Sequence, residues 1–189
     1  MDFEAGEVLL VNKPLRWTSF DVVNKLRYAL KHRTGKKLKV GHAETLDPLA
    51  TGLLLICSGK MTKQIDTLTG MDKEYTGTFV LGATTPCFDM ELPVDATYPT
   101  DHITPELVQE TTRQFTGAIE QIPPIFSAVK VDGVKGYNAA RKGKEIEIKP
   151  RVVVIPVFEL TRIELPEVDF RVRCSKGTYI RALTRDFGK

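Results

Sequence analysis

The segment from Gly41 to Pro48 contains three side chains that can do chemistry, His42, Glu44 and Asp47, between two apolar stretches. An aspartate with an ordinary pKa near 4 is ionised at neutral pH, so Asp47 could act as a base or a nucleophile. An Asp-Pro pair alone usually marks a turn. A stacking histidine beside a carboxylate, on a loop carried by strands, is more typical of a functional site. Asp47 is therefore the candidate catalytic carboxylate.

A second unusual feature is the placement of Lys176 and Arg181 around the start of a helix predicted over residues 178–187. The N-terminus of a helix carries partial positive charge, and cations there are unfavourable by a few tenths of a kcal/mol or more. The arrangement is explained if an anion, a carboxylate or a phosphate, lies against these side chains. The alternative is that both side chains simply extend into water.

The charges are segregated along the chain, although the net charge is only +3. Seven Lys or Arg residues and no acid occur from Lys25 to Lys39, and five with no acid from Arg171 to Arg185. Between Val94 and Gln121 there are five acids and one arginine. This pattern favours a basic face that binds an anion such as nucleic acid, but solvated helix faces would give a similar pattern.

The cysteines and the apolar stretches argue against several classes of protein. Cys57, Cys87 and Cys174 lie far apart and match neither a zinc spacing nor a disulfide framework. No apolar run is long enough for a membrane span, and the N-terminus lacks a signal-peptide pattern. We therefore expect a cytoplasmic protein without a metal site or a membrane segment.

Local patterns place these residues on helices and strands. Thr18 and Asp21 form a potential capping box, followed by an apolar stripe at helical spacing of Phe20, Val23, Leu26 and Leu30. Thr104-Pro105-Glu106 predicts the start of a helix to about Phe115. Residues 168–174 alternate as a strand, and Pro156 indicates an edge or bulge within the strand-like stretch 151–165. Mixed strands and helices without strict alternation favour an α+β fold with a largely antiparallel, mixed sheet flanked by helices.

Beyond these patterns, the sequence resembles a known family at several motifs. Residues 41–52 resemble the catalytic motif of the TruB family of pseudouridine synthases. The other matches, in chain order, are Lys13-Pro14 with Thr18-Ser19; Lys73-Glu74-Tyr75 with Leu81-Gly82, Thr85 and Asp89; Gln121 to Pro124 with Ser127 to Lys130, Tyr137, Ala140-Arg141 and Gly143; and Cys174 to Arg181. Together they span nearly the whole chain, which makes the resemblance specific.

The resemblance implies an isomerase of the pseudouridine synthase fold that needs no cofactor and no metal. The expected substrate is the uridine at position 55 in the T loop of tRNA, reached by base flipping. Asp47 would attack C1′ or remove a proton from C2′, and the residues do not distinguish these routes. Arg181 would pair with Asp47, and Tyr75 would help to remove the C5 proton.

Further residues are expected to bind the RNA. His42, Tyr75 and Tyr179 would contact the target base, although the two tyrosines could instead be core residues. The basic residues expected to hold the RNA backbone are Lys130, Arg141, Lys142, Lys144 and Lys176. Four of these five lie in a glycine-punctuated, basic stretch of about 124–151, which we expect to be a mobile excursion.

The sequence departs from the family pattern at two positions, because Glu44 and Arg16 stand where glycine is usual. Glu44 could repel Asp47 or raise its pKa, and it would be strained if that position needs a positive φ. The family's catalytic domain also continues beyond Lys189. Residues 1–189 are therefore expected to be one catalytic domain truncated at its C-terminus, without the PUA-type RNA-binding domain that commonly follows.

Two alternatives stay open at this point. One is the dyskerin-like branch of the family, which uses a guide RNA, although the compact N-terminal region favours the stand-alone bacterial branch. The other is an RNA-binding or tRNA-folding module with little or no catalysis in this truncated form. We expect a monomer that binds the T-arm stem-loop of tRNA.

Overall fold

The structure is a computed structural model that describes residues 1–125, 127 and 148–189, together with the backbone of residues 130–131 and 134–135. By its internal contacts the chain divides into two compact units, Met1–Met71 and Asp72–Lys189. Every strand ladder among the described residues is antiparallel, in agreement with the predicted α+β fold. No helix in this described part is long and apolar enough to span a bilayer.

The first unit is a three-stranded sheet with one long helix. Its elements are β1 (Val8–Lys13), α1 (Ser19–Thr34), β2 (Val40–His42), β3 (Gly52–Ser58), a 3-10 helix (Gly59–Gln64) and α2 (Ile65–Thr69). The strand order is β1-β3-β2, so β3 is central. The end of β1 faces the start of β3, where Lys13 pairs with Gly52.

Helix α1 begins as its sequence predicts. The Thr18 side chain accepts a hydrogen bond from the Asp21 backbone, and the Asp21 carboxylate accepts one from the Thr18 backbone, which completes the capping box. Val23 and Leu30 are buried in a core with Leu54 and Ile56 of β3. Phe20, the first residue of the apolar stripe, is not part of this core. Its ring is exposed, and the Arg27 guanidinium lies 5.6 Å from the ring centroid.

The second unit contains two main sheets and two further helices. Its elements are β4 (Lys73–Val80), β5 (Ala83–Thr84), β6 (Ala96–Thr97), α3 (Pro105–Thr111), a 3-10 helix (Thr112–Phe115), β7 (Gly117–Gln121), β8 (Lys130–Val131), β9 (Val134–Lys135), β10 (Arg151–Ile155), β11 (Val157–Glu164), β12 (Glu167–Cys174) and α4 (Ile180–Phe187). Strands β11, β12 and β4 form one sheet in that order, and β10 pairs with β7.

Alternation along β12 builds the core of this unit. Val168, Phe170, Val172 and Cys174 are buried as predicted, and Phe170 stacks on Phe79 of β4 with ring centroids 4.2 Å apart. Pro156 lies between two strands and does not interrupt a single one. Residues 151–164 form β10 and β11, which belong to different sheets. Thr104 caps α3 and Pro105 occupies its first turn, as predicted. The α-helix ends at Thr111, and the 3-10 helix continues the segment to Phe115.

Candidate active site

Residues 41–52, here called the Asp47 loop, connect β2 to β3 in the first unit and are held at several backbone positions. The Ala43 amide donates to the Leu55 carbonyl at 2.9 Å, and the Thr69 hydroxyl donates to the Ala43 carbonyl. Ser19, buried at the start of α1, accepts a hydrogen bond from the Leu46 amide at 2.9 Å. The residue before Asp47 is therefore attached to the first turn of the long helix.

A buried ammonium group holds the other side of Asp47. Lys13, at the end of β1, is fully buried, and its Nζ donates to the carbonyls of Pro14 (3.0 Å), Trp17 (2.6 Å) and Pro48 (3.3 Å). These bonds match the three N–H donors of an ammonium group, as burial of a charge requires. Burial lowers the pKa of Lys13, while the carboxylates of Asp47 and Asp21 oppose that shift. Lys13 thus joins strand β1, the following turn and the Asp47 loop.

Asp47 itself is half-buried, and its carbonyl accepts a hydrogen bond from the Ala50 amide at 3.0 Å. His42 lies at the end of β2, where its Nδ1 is 2.5 Å from the Glu44 carbonyl. The backbone of Glu44 does not adopt a positive φ, so strain is not a consequence of the missing glycine there. An effect of Glu44 on the pKa of Asp47 stays a prediction.

Arg16, the other residue that stands where the family usually has glycine, does adopt a positive φ. Its φ is +66°, in the left-handed region that glycine adopts easily and arginine does not. Its amide donates to the Pro48 carbonyl at 2.7 Å, the same carbonyl that Lys13 binds. The turn from Pro14 to Trp17 therefore keeps its contact with the Asp47 loop at the expense of local strain.

In the second unit, Tyr75 and Tyr179 occupy different environments. Tyr75 lies on β4 opposite Val172 and packs, half-buried, against the core. Tyr179 is the residue before α4, and its backbone amide and carbonyl both bind the Gln121 side chain, at 2.8 and 3.1 Å. The Arg151 guanidinium lies 5.7 Å from its ring centroid. Gln121 is buried, so it fixes the start of α4 from the end of β7.

One carboxylate near the start of this helix is that of Asp89. Helix α4 begins at Ile180, two residues later than predicted, with Arg181 in its first turn. The Arg181 Nε lies 3.7 Å from the Asp89 Oδ2, and both side chains are largely buried, with exposed fractions of 13% and 18%. The Arg181 Nη1 also donates to the Cys87 carbonyl at 3.4 Å. Lys176, in contrast, is exposed and lies four residues before the helix.

The segment that carries Asp89 is itself well ordered by side-chain bonds. The Asp89 Oδ1 accepts hydrogen bonds from the Cys87 thiol and from the Glu91 amide, both at 2.9 Å. The Thr85 hydroxyl donates to the Asp89 carbonyl at 2.6 Å. Phe88 between them has a φ of +61° and lies under the Arg185 guanidinium. Because Oδ1 is occupied by these donors, Oδ2 is the oxygen that faces Arg181.

The predicted site residues thus fall in both units. His42 and Asp47 share the Asp47 loop in the first unit, and Tyr75, Tyr179 and Arg181 lie on β4 and α4 in the second. The pairing of Asp47 with Arg181 stays a prediction. The side chain of Lys130 and all of Arg141, Lys142 and Lys144 lie outside the described residues. Within the described part, no group of three or more His, Cys, Asp or Glu could hold a metal ion.

Sequence reasoning missed the supporting residues. Lys13, Asp89 and Gln121 were recognised as parts of family-like motifs, but their roles were not predicted. Each bonds to residues distant in the chain, with Lys13 contacting Pro48 and Gln121 contacting Tyr179. A local signal is a polar residue at the end of a strand, which applies to Lys13 and Gln121 alike.

Comparison with known proteins gives consistent results. The family model described as TruB family pseudouridylate synthase (N terminal domain) matches residues 31–180. A protein of Flavobacterium johnsoniae named tRNA pseudouridine synthase B is 60% identical over 190 residues, covering 100% of this chain and 83% of that protein. The protein of the same name from Chloroherpeton thalassium is 49% identical, covering 97% of this chain and 76% of the relative.

Solved structures with a similar fold include a Cbf5-Nop10-Gar1 complex, with a TM-score of 0.69 and 27% identity. The alignment covers 98% of this chain and 44% of that one. An H/ACA RNP bound to a substrate RNA containing 2′-deoxyuridine matches with a TM-score of 0.65 at 24% identity, which concerns the fold alone. This chain spans less than half of those longer chains. The sequence identity of this chain to the two bacterial proteins is about twice its identity to the chains of these solved structures.

Proposed function

This chain belongs to the TruB family of pseudouridylate synthases, and from this we propose that it isomerises the uridine at position 55, in the T loop of tRNA, with Asp47 as the essential carboxylate. Relatives named tRNA pseudouridine synthase B, up to 60% identical, support the formation of pseudouridine in tRNA. The T loop, base flipping and the role of Asp47 are the finer parts of the proposal.

The observation that carries the proposal is the set of hydrogen bonds that hold the Asp47 loop in place. Ser19 binds the residue before Asp47, and Lys13 and Arg16 bind the residue after it. A reacting group must be held within a fraction of an ångström of its productive position, and rigid elements hold it better than a free loop. The positive charge of Lys13, in addition, favours the ionised form of Asp47.

The proposed reaction cleaves the bond from C1′ to the base nitrogen, turns the base and forms a bond from C1′ to C5. The C5 proton leaves at the end and the detached N1 takes up a proton, so the product is an isomer of uridine and the reaction neither consumes water nor needs an oxidant or reductant. A hydrolase of glycosidic bonds would use two carboxylates, one as acid and one as base or nucleophile. In this proposal Asp47 is the only carboxylate required, and it attacks C1′ or takes a proton from C2′.

The remaining residues would bind and orient the base. A uridine in a folded loop must leave its stack, which costs a few kcal/mol, and stacking on a ring returns about 1–3 kcal/mol. We assign that stacking to His42 and Tyr75, and we place Tyr179 against the base. Tyr75 also accepts or relays the C5 proton. Arg181, held by Asp89 and the Cys87 carbonyl, would orient Asp47 through a charge-assisted hydrogen bond.

The lysines and arginines predicted to clamp the RNA stay part of the proposal. Lys176 is exposed ahead of α4, where it could bind a phosphate. Lys130, Arg141, Lys142 and Lys144 would bind the backbone of the stem-loop. We further propose a monomer in the cytoplasm, where its tRNA substrate is found.

The activity is tested with a T-arm transcript labelled with tritium at C5 of uridine. Because the new bond forms at C5, each turnover releases one tritium to water. We expect release from the transcript with uridine at position 55 and none when that uridine is replaced by cytidine. Binding of the transcript without release of tritium would contradict the proposal and favour an RNA-folding module.

A further inference from the structure

We propose that the exposed face of α1 is a second RNA-binding surface, which contacts helical parts of the tRNA outside the T arm. This face, here called the α1 face, consists of Lys25, Tyr28, Lys31 and His32. The inference rests on the proposed function, since it adds a partner surface for the same substrate. Three observations carry it: the charge of the face, its exposed aromatic pair and its distance from the Asp47 loop.

The spacing of these residues puts them on one side of the helix. Lys25, Lys31 and His32 lie three or four positions from Tyr28, so all four share a face. All four are exposed, whereas Val22, Val23 and Leu30 on the opposite side are buried against the sheet. The charges of the α1 face are therefore directed away from the core of this unit.

Among the described residues, the cations of this face have no acidic partner. None of the residues that the structure describes forms a salt bridge with Lys25 or Lys31, nor with Lys37 or Lys39 just beyond the helix. Arg33 and Lys36 differ, because Arg33 lies over the Phe3 ring and Lys36 pairs with Glu4. Cations in the last turn also offset the helix dipole, which accounts for Lys31 but not for Lys25, Lys37 and Lys39.

An aromatic pair lies among these charges. The rings of Tyr28 and His32 have centroids 4.4 Å apart, and Tyr28 is 65% exposed. An exposed large ring between lysines is typical of surfaces that bind nucleic acid, where the ring packs on a sugar or base and the cations bind phosphates. A membrane surface fits less well, because it would require an exposed apolar side on the helix, and the apolar side of α1 is buried.

The position of the α1 face explains which part of the RNA it would meet. Ser19, at the start of α1, binds Leu46 beside Asp47. With a rise of 1.5 Å per residue, Tyr28 and His32 lie roughly 14 and 20 Å farther along the helix axis. That distance exceeds the reach of the nucleotides next to the target uridine. Double-stranded RNA is recognised through its phosphates and 2′-hydroxyls, which lysine and tyrosine side chains can bind.

The test compares two substrates, a minimal T-arm stem-loop and the complete tRNA. The variant is Lys25→Glu with Lys31→Glu, and Lys25→Gln with Lys31→Gln serves as a milder pair. The charge-matched control is Lys60→Glu with Lys63→Glu, two exposed lysines elsewhere in the same unit. The thermal unfolding temperature and the rate of tritium release are measured for each protein on both substrates over a range of salt concentrations.

We expect the Lys25/Lys31 variant to raise KM for complete tRNA roughly tenfold and to leave kcat and the KM for the stem-loop unchanged. The slope of log affinity against log salt for complete tRNA should fall by about 2, since two phosphate contacts are lost. The control should show neither change. An unchanged KM for complete tRNA, or an equal rise for both substrates, would overturn the inference. Failure of the wild-type protein to act on the stem-loop would instead overturn the proposed function.

Discussion

At the scale of single residues, the Asp47 loop is held by two residues, Lys13 and Arg16, that are each in an energetically unfavourable state. Lys13 has its ammonium group removed from water, and Arg16 has its backbone in the left-handed region. Both contact the carbonyl of Pro48, one residue after Asp47. A fold retains such states where the position of a neighbouring group matters, which is the expectation for a catalytic loop.

Replacing Arg16 by glycine should not destabilise the protein. An arginine in the left-handed region destabilises the folded state by roughly 1–2 kcal/mol, and glycine removes this strain. Glycine also destabilises the folded state by about 0.5–1 kcal/mol, because it increases the conformational entropy of the unfolded chain. The free energy of unfolding, from urea denaturation, should therefore stay equal or rise by up to about 1.5 kcal/mol. The control Leu15→Gly, at an exposed neighbour without a positive φ, should lose about 0.5–1 kcal/mol. A larger loss for Arg16→Gly than for the control would show that the arginine side chain stabilises the turn.

At the scale of elements, the start of α4 is positioned by two distant segments. Gln121 at the end of β7 binds both backbone groups of Tyr179, and Asp89 in the second segment faces Arg181. The Cys87 thiol and the Glu91 amide hold the Asp89 carboxylate in turn. The helix therefore presents Arg181 in a direction set by strands and loops outside the helix.

Removing the charge of Asp89 should impair the reaction more than the fold. Asp89→Asn keeps the shape of the side chain but weakens its attraction for Arg181. We expect kcat for the T-arm transcript to fall roughly 10- to 100-fold, the loss of one charged interaction of about 1.5–3 kcal/mol. The KM should change little. The control Asp95→Asn removes a carboxylate from the neighbouring strand pair, where it accepts from Thr84, and should keep full activity. Equal losses in the two variants would argue against a positioning role for Asp89.

At the level of elements, some features could be predicted from the sequence and others could not. The capping box of Thr18 and Asp21 and the alternation along β12 were predicted correctly, because those signals involve residues close in the chain. The contacts of Lys13 with Pro48, Gln121 with Tyr179 and Asp89 with Arg181 were not predictable, because they form only when distant segments pack together. Phe20 fits the helical period of the apolar stripe, yet its ring is exposed at the surface, near the Arg27 guanidinium.

At the scale of the whole molecule, the basic residues of the two units have different surroundings. The Lys25–Lys39 run forms the exposed end of α1 and the segment after it. In the second unit, Arg162 and Arg171 of the sheet are instead paired with carboxylates: Arg162 with Asp169, Glu164 and Glu167, and Arg171 with Glu74 and Glu159. The basic run of the first unit therefore contains the exposed lysines on which the proposed RNA-binding surface rests, whereas Arg171 of the second basic run forms ion pairs within the chain.

The central claim is that Asp47 carries out the reaction, and the most direct test is the Asp47→Asn variant. Tritium release and binding of the T-arm transcript are measured for the wild type, for Asp47→Asn and for Asp66→Asn, an exposed aspartate of α2 in the same unit. We predict that Asp47→Asn loses at least about a hundredfold in rate while its affinity for the transcript stays within about threefold, because asparagine keeps the shape but neither the basicity nor the nucleophilicity. Asp66→Asn should be unchanged. Full activity of Asp47→Asn would contradict the account.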